Sequence, residues 1–372
     1  MDLEKFVSKS AKAGEIYNLN HFRTGWHRPV RRLMGNELVF PPSPKVIEAV
    51  KNIADKLNYY PEDALTDVEL REKLAEYSGL PGRPDWITCG CGSSEIIDML
   101  YETFLDEGDE IILSNPDYSP YARRTKLYGA VVVEVQPADE DFNYTLESFT
   151  GKITPKTKMI MLSRPNNPDG HQVPKSLVRG LLETGLIIVV DEAYVEFGED
   201  SCEDMLDEYE NLIISHTFSK AMGLAGIRLG WIVARPEIIN YVNAIRTPLN
   251  VGLVTHVAAI AAIEDADYIR ANAARIKADR EYFFNEIKKI PGMRPIPSQA
   301  NFVMVDCLES GLKASEITNH LLERGYLIRC FVNARGLPGD RYYRVTIGTH
   351  EDVVNVLNEI KAYAQAHAGV TA

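Results

Sequence analysis

The sequence predicts an α/β protein with two domains, a large one on a mostly parallel sheet flanked by helices and a smaller α+β one. Two observations support this fold class. Short, nearly continuous apolar runs alternate with helical patterns over the first two thirds of the chain, which is typical of parallel strands buried on both faces. From about Val254 long helical patterns take over, with a few short strands between them. We therefore place the large domain at 46–252, and the small domain with an N-terminal arm at 1–45 and 253–372.

The predicted elements can be given in chain order. A first helix begins at Ser43-Pro44, since serine caps a helix and proline fits its first turn. Its apolar residues recur at helical spacing, at Val46, Ile47, Val50, Ile53, Ala54 and Leu57. A second helix begins at Ser93 or Ser94, and strands are predicted at 110–113, 130–135, 158–162, 186–190, 212–214 and 229–233. The small domain adds an apolar segment at 301–305, a helix at 315–324, strands near Leu327 and Arg344, and a last helix at 351–366.

Composition and charge exclude several classes of protein. The 372 residues are 45% hydrophobic and 25% charged, which argues against a disordered, collagen-like or coiled-coil chain. The net charge of −13 disfavours a nucleic-acid or membrane-surface binder, and no apolar run is long enough for a membrane span. The first 15 residues lack the apolar core of a signal peptide, and the five scattered cysteines form no CxxC motif. We therefore expect a cytoplasmic protein without disulfides or a metal site.

One segment, 196–210, contains eight acidic residues and no basic ones. A metal site there is conceivable, but the pattern is more typical of a solvated loop or helix face. We assign no function to this segment.

Phosphate-binding loops give a mixed signal. No GxxxxGK[ST] motif is present, which excludes a P-loop nucleotidase. The segment Gly90-Cys91-Gly92-Ser93-Ser94 begins like a dinucleotide loop, but Glu95 stands where the third glycine is needed. A glycine-rich turn that opens a helix presents free backbone N–H groups, so it suits a phosphate as well as it suits a simple tight turn.

Three polar clusters follow apolar runs, at 163–170, 191–194 and 215–220 with its continuation to 230. Ligands of parallel α/β sheets bind beyond the carboxyl ends of the strands, where such clusters would meet. Asp191 ends a buried run, and its charge is costly there unless a partner offsets it. Lys220, in a serine- and glycine-rich turn, could be that partner in a plain ion pair or could carry chemistry.

Together these motifs resemble the fold-type-I, pyridoxal-phosphate-dependent class I/II aminotransferases, and are most similar to the histidinol-phosphate aminotransferase branch. The similarity covers nearly the whole chain, and the motifs stand in the family's order. They are Asn36-Glu37 with Pro42-Ser43-Pro44, Asn58-Tyr59-Tyr60-Pro61, Gly92 to Glu95, Pro116-Asp117-Tyr118, Pro165-Asn166-Asn167-Pro168, Asp191-Glu192-Ala193-Tyr194, Ser219-Lys220, Arg228, Ala300-Asn301-Phe302 and Arg344 to Gly348.

The resemblance implies catalytic roles for a few residues. Lys220 would form a Schiff base with the aldehyde of pyridoxal 5'-phosphate and later move a proton. Asp191 would face the pyridine nitrogen and keep it protonated. Tyr194 and Asn167 would hydrogen-bond the ring hydroxyl, and Tyr118 would stack on the ring face.

The resemblance also implies how the cofactor phosphate and the substrate are held. Phosphate contacts are expected from Ser93, Ser94, Thr217, Ser219 and Arg228. Tyr60 would reach the phosphate of a neighbouring subunit, which implies a homodimer with shared sites, or it simply packs beside Pro61. Arg344, together with Asn167, would hold the substrate carboxylate, while Arg329 would help to hold a substrate phosphate or is a surface arginine at a strand end.

The substrate side departs from the family pattern. Leu38-Val39 stand where the family has Asn-Pro, and Asp169, His216 and Cys330 stand in place of a threonine, an arginine and an aspartate. The stretch with Arg23, Trp26 and His27 is one that can line the substrate pocket in this family. Cofactor-facing positions therefore match better than substrate-facing ones.

The expected function is transfer of an amino group from an amino acid or amino phosphate to a 2-oxo acid such as 2-oxoglutarate, by ping-pong chemistry. An alternative on the same fold is a decarboxylase of the phosphothreonine kind, a lyase or an oxidase, because substrate orientation selects the bond that breaks. A non-catalytic sensor module and a NAD dehydrogenase are weaker alternatives. Product analysis of a half-reaction separates the first two.

Overall fold

The computed structural model describes residues 3–15, 30–61 and 68–367. Within these ranges the α-helices are α1 (Lys9–Ala13), α2 (Pro44–Ile53), α3 (Val68–Tyr77), α4 (Gly92–Phe104), α5 (Pro120–Thr125), α6 (Leu146–Thr150), α7 (Lys175–Leu182), α8 (Pro236–Ile245), α9 (Leu253–Ile263), α10 (Ala266–Ile287), α11 (Ala314–Glu323) and α12 (His350–His367). The strands are β1 (Arg31–Leu33), β2 (Ile87–Gly90), β3 (Glu110–Ser114), β4 (Val131–Val135), β5 (Thr157–Ser163), β6 (Ile187–Asp191), β7 (Leu212–Thr217), β8 (Gly230–Val233), β9 (Arg294–Pro295), β10 (Phe302–Asp306), β11 (Tyr326–Phe331) and β12 (Tyr342–Thr346).

The large sheet has the strand order β2-β8-β7-β6-β5-β3-β4. The pairs from β4 through β7 are parallel, and β8 pairs antiparallel with both of its neighbours. Alternate residues of β5 enter the cores on opposite faces of the sheet, with Met159 and Met161 on one and Ile160 and Leu162 on the other. Burial of both faces explains the nearly continuous apolar runs, because each face is covered by helices.

The second sheet has the order β1-β11-β12-β10-β9 and is antiparallel except for the pair of β1 with β11. Together with α10, α11 and α12 it forms the α+β part of the molecule. The predicted α/β fold with a large and a smaller domain is confirmed. The domain boundaries at 45/46 and 252/253 stay a prediction.

Most predicted elements lie within three residues of the observed ones, and the differences have local causes. Ser43 caps α2 as predicted, because its Oγ accepts a hydrogen bond from the N–H of Val46. The second predicted helix begins earlier than Ser93, at Gly92, with the side chain of Glu95 accepting a hydrogen bond from the N–H of Cys91. Strand β2 was not predicted, because its sequence, Ile87-Thr88-Cys89-Gly90, mixes polar and small residues and so lacks the apolar run that marks the other strands.

Strand β7 is longer than predicted, since it continues from Ile214 to Thr217. The last two residues are polar, yet both are buried and paired with β8, His216 opposite Trp231 and Thr217 opposite Gly230. A strand that ends in buried polar side chains brings those groups to the carboxyl edge of the sheet, where the neighbouring strands end in Ser163 and Asp191.

Candidate active site

A cavity of about 320 Å³ opens at the carboxyl ends of β5, β6 and β7 and extends to β11 and β12 of the second sheet. Its volume lies in the range typical of small-molecule sites. Twelve of the thirteen predicted site residues line it: Ser93, Ser94, Tyr118, Asn167, Asp191, Tyr194, Thr217, Ser219, Lys220, Arg228, Arg329 and Arg344.

Lys220 follows β7 in a turn and is partly buried within the cavity. Its Nζ donates a hydrogen bond of 3.1 Å to the carbonyl oxygen of Gly35 and lies 5.6 Å from the ring centroid of Tyr194. Burial lowers the pKa of Lys220 to about 8, and the positive charges of Arg344 and Arg228 act in the same direction. The amine is therefore far more nucleophilic near neutral pH than that of an ordinary lysine.

Asp191 ends β6 with its side chain buried. One carboxylate oxygen accepts a hydrogen bond of 3.0 Å from the N–H of Ala193, and the other accepts one of 2.5 Å from the hydroxyl of Tyr121. Burial raises the pKa of Asp191, while these two hydrogen bonds oppose that rise by stabilising the anion. The site thus holds a buried carboxylate with a fixed orientation.

The first turn of α4 and the segment after β7 form a polar cradle. Arg228 adopts a left-handed backbone conformation with φ of 55°, and its Nη1 lies 3.4 Å from the Oγ of Ser219, which in turn accepts a 3.0 Å hydrogen bond from Thr217. Gly92, at φ of 74°, leaves room for that guanidinium, because a Cβ at this position would overlap it. The helix N-terminus, an arginine and two hydroxyls together suit a phosphate dianion.

Two arginines line the cavity from the second sheet. Arg344 donates hydrogen bonds to the Oδ1 of Asn167 and, at 3.1 Å, to the carbonyl oxygen of Met34. Arg329 stands directly opposite Arg344 across β11 and β12, so both side chains project from the same face of the sheet. The ring of Phe331 lies 5.6 Å from each guanidinium carbon. This arrangement concentrates positive charge for an anionic substrate group.

Two tyrosines also line the cavity. Tyr194 accepts a hydrogen bond of 2.9 Å from the side chain of Asn36, and burial raises the pKa of Tyr194 to about 12, so it stays a neutral donor. Tyr118 packs edge-on against Tyr121 with ring centroids 5.4 Å apart. Both rings therefore have fixed positions beside Asp191 and Lys220.

Tyr60 is the one predicted site residue that does not line the cavity. Its side chain is 87% exposed in the single chain. The stretch with Arg23, Trp26 and His27 lies outside the described residues.

Several lining residues had no predicted role, and four of them make hydrogen bonds or ion pairs that hold the site together: Asn36, Asp117, Tyr121 and Arg335. Asp117 lies in the Pro116-Asp117-Tyr118 motif and Asn36 in the Asn36-Glu37 motif, while Tyr121 stands three residues beyond Tyr118. Position in a motif was therefore an available signal for Asn36 and Asp117, and closeness to a motif for Tyr121, but Arg335 stands in a loop that contains no motif.

The departures from the family pattern have structural explanations at two positions. Asp169 is buried and accepts hydrogen bonds from Asn166 and, at 2.7 Å, from the N–H of His171, while burial raises its pKa to about 7. The imidazole ring of His216 stacks on the indole of Trp231 with ring centroids 4.8 Å apart, and its Nε2 lies 3.0 Å from the Oε1 of Glu203. Both residues support the loops that carry site residues.

The acidic segment 196–210 is only partly solvated. Asp204, Asp207 and Glu208 are exposed as predicted, but Glu196 accepts a hydrogen bond from Tyr77, and Glu203 reaches the buried His216. Burial alone would lower the pKa of His216, but the carboxylate of Glu203 raises it to about 9.

Comparison with known proteins identifies the family. The family described as aminotransferase class I and II matches residues 29–360. The chain belongs to this family. A histidinol-phosphate aminotransferase of Methanothermobacter thermautotrophicus is 36% identical over 88% of both chains, and one of Dehalococcoides mccartyi is 32% identical over 96% of both. A crystal structure of histidinol-phosphate aminotransferase from Sinorhizobium meliloti in complex with pyridoxal 5'-phosphate superposes with a TM-score of 0.85, at 25% identity, covering 97% of this chain and 98% of that one.

The class I and II aminotransferases are enzymes that act on small molecules, and this protein is one of them. It is a pyridoxal-phosphate-dependent aminotransferase that takes an amino donor and a 2-oxo acid. The cradle at Gly92 and Arg228, the amine of Lys220 and the carboxylate of Asp191 fit the phosphate, the aldehyde and the ring nitrogen of that cofactor. In the described ranges no helix combines the length and apolar character that a membrane span requires.

Proposed function

We propose that this aminotransferase takes an amino phosphate such as histidinol phosphate as donor and 2-oxoglutarate as acceptor. The observation that carries the proposal is the pair Arg329 and Arg344, which project from one face of the sheet into the cavity that contains Lys220. Two guanidinium groups match a phosphate dianion, and in the second half-reaction they match a carboxylate. The curated relatives at 32–36% identity carry the name histidinol-phosphate aminotransferase, which agrees with this charge pattern.

We assign the cofactor contacts as the geometry suggests. The N–H groups of Ser93 and Ser94, the hydroxyls of Thr217 and Ser219, and the guanidinium of Arg228 would hold the phosphate. Tyr118 would limit rotation of the ring. When bound, pyridoxal 5'-phosphate supplies an aldehyde that condenses with amines and a ring that accepts the electron pair of a broken bond.

The chain's own residues control the protons. Burial raises the pKa of Asp191, and the hydrogen bonds from Tyr121 and Ala193 oppose that rise by favouring the anion. As the anion, Asp191 would hold a proton on the ring nitrogen. Tyr194 and Asn167 would donate hydrogen bonds to the ring hydroxyl. Lys220, whose lowered pKa supplies a neutral amine, would take the proton from the substrate α-carbon and return it to the cofactor carbon that receives the amino group.

The arginines select the bond that breaks. Arg344 is fixed by Asn167 and by the carbonyl oxygen of Met34, so an anionic group bound to it has a defined position. That anchor would place the Cα–H bond, rather than a carbon–carbon bond, next to Lys220. Transamination, not decarboxylation, is the expected outcome.

The test is a half-reaction screen of the purified holoenzyme. Histidinol phosphate, histidine, aromatic amino acids, aspartate and glutamate are each added, and conversion is followed by the loss of the visible absorbance of the bound aldehyde cofactor and by product analysis. We expect histidinol phosphate to react fastest and to give a stoichiometric carbonyl product. A Lys220→Ala variant is the control for binding without turnover. Release of CO₂ from an amino acid, or faster reaction of a donor without a phosphate, would contradict the proposal.

We also propose that the enzyme is a cytoplasmic homodimer. Leu57, Tyr59 and Tyr60 are exposed on the single chain, which supports a protein partner on this surface. A Tyr60→Phe variant mixed with Lys220→Ala would test whether Tyr60 reaches the partner's site, read as cofactor retention of the mixed dimers. Unchanged retention in the Tyr60→Phe homodimer would remove Tyr60 from the site.

A further inference from the structure

The loop between β11 and β12 forms one wall of the cavity. Phe331, the last residue of β11, and Ala334, Arg335 and Leu337 of the loop line the cavity, and we call residues 331–337 the cavity wall. Leu337 is buried in a small apolar cluster with Phe142 and Tyr342, and its N–H donates a hydrogen bond of 2.8 Å to the carbonyl oxygen of Ala334. The wall is therefore a folded turn rather than an open loop.

This wall is joined to the other side of the cavity by ion pairs. The Nη1 of Arg335 lies 2.5 Å from a carboxylate oxygen of Asp117, and its Nε lies 2.7 Å from Glu134. Glu134 also accepts a hydrogen bond of 2.7 Å from the side chain of Asn115. Asp117 immediately precedes Tyr118, so the ion pair connects the wall to the turn at 115–118 that carries the stacking tyrosine.

Backbone packing at the next residue supports the same connection. Gly336 has φ of 72°, and a Cβ there would come within 2.6 Å of the backbone nitrogen of Pro116. The wall and the 115–118 turn are thus in direct contact, with no space for a side chain between them.

The wall also approaches the two arginines of the cavity. Phe331, its first residue, lies 5.6 Å from the guanidinium carbons of both Arg329 and Arg344. A shift of the wall would therefore change the surface beside this ring, next to the two arginines.

From these contacts we propose that Arg335 is a positioning residue for substrate binding: its ion pair with Asp117 fastens the cavity wall against the 115–118 turn and so fixes the shape of the cavity beside Phe331, whose ring lies near both arginines. This inference rests on the proposed function only for the choice of amino donor used in the assay. The Asp117 side chain is 1% exposed, and that of Arg335 is 26% exposed, so the pair is largely shielded from water.

Removal of Arg335 should not unfold the protein. Burial raises the pKa of Asp117 to about 7 even with Arg335 present. Without that cation, the carboxyl group takes up a proton instead of staying charged.

The chain offers a matched control at the far end of the same loop. Arg341 pairs with Asp306, whose side chain is 4% exposed, but neither residue lines the cavity. Arg341→Met therefore removes a similar arginine–aspartate pair without touching the wall's contact with the 115–118 turn.

The kinetic experiment compares Arg335→Met, Arg335→Lys, Asp117→Asn and Arg341→Met holoenzymes. We expect Arg335→Met to raise KM for the amino donor by roughly tenfold with little change in kcat, because ground-state and transition-state binding weaken together. Arg335→Lys should recover part of that loss, and Arg341→Met should leave KM unchanged. The double variant Arg335→Met/Asp117→Asn should be no worse than the worse single variant, because both remove one interaction.

A second measurement does not depend on any substrate. Amide hydrogen exchange of the holoenzyme should be faster over residues 331–337 in Arg335→Met and unchanged there in Arg341→Met. Three results would overturn the proposal: equal KM changes in Arg335→Met and Arg341→Met, additive KM effects in the double variant Arg335→Met/Asp117→Asn, or unaltered exchange over 331–337 in Arg335→Met. If no donor reacts with the wild-type enzyme, the proposed function fails, and the exchange data alone decide the role of Arg335.

Discussion

The reactivity of Lys220 gives the sharpest test of the site's electrostatics. A fall in its pKa from 10.5 to about 8 makes the neutral amine roughly 300-fold more abundant at pH 7 than in an ordinary lysine. Brief acylation of the cofactor-free protein at a series of pH values, quantified by mass spectrometry of the Lys220 peptide, should therefore give a midpoint near pH 8. The exposed Lys51 in the same sample serves as the internal standard for the reagent.

Two variants should move this midpoint in opposite directions. Arg344→Met removes a neighbouring positive charge and should raise the pKa of Lys220, though not to 10.5, because burial is the larger cause of the shift. Glu37→Gln removes a negative charge that opposes the shift and should lower the pKa further. A wild-type midpoint near 10.5, or a shift of both variants in the same direction, would refute the reasoning.

Three further predictions concern other parts of the site. Gly92→Ala should weaken cofactor binding and cost about 1–3 kcal/mol of stability, because residue 92 has a positive φ and its new Cβ would overlap the guanidinium of Arg228. Fluorescence titration measures the loss of binding, and thermal melting measures the loss of stability. Asp191→Asn should retain the cofactor but slow turnover by at least about a hundredfold in steady-state assays, and a near-native rate would remove Asp191 from its role. The pKa of His216 is raised to about 9, so its pair with Glu203 should stabilise the fold fully below pH 6.5 and lose that effect as the pH rises through 9. The free energy of unfolding of Glu203→Gln, measured with denaturant, should thus be lower than that of wild type by up to about 3 kcal/mol at pH 6 and by much less at pH 10. The same difference at both pH values would contradict this prediction.

The fold class and the cofactor-facing residues could be predicted because their signals are local. A strand buried on both faces must be apolar along its length, so β5, β6 and β7 stand out, and the polar residues that follow them mark the carboxyl edge of the sheet. Asp191 and Lys220 lie at those positions, and the resemblance supplied their chemistry. Strand ends were less predictable, since His216 and Thr217 are polar yet paired within β7.

Contacts between distant parts of the chain could not be predicted in this way. Tyr121 is 70 residues from Asp191, and Arg335 is 218 residues from Asp117, yet each pair shares a hydrogen bond. The acidic segment shows the same limit, because composition predicted a solvated stretch while Glu203 turns inward to His216. Which carboxylates face inward depends on what the fold places beside them.

The amino-acid sequence by itself determined the α/β architecture, the family and the set of side chains available for catalysis, because periodicity and short motifs depend only on neighbours along the chain. The tertiary structure decided how those side chains behave. The pKa values of Lys220 and Asp191, and the position of Arg335 against Asp117, arise from burial and from charges that distant segments bring within a few ångströms. Electrostatic interactions depend on distance in space and on exclusion of water, and neither quantity is written in the order of the residues.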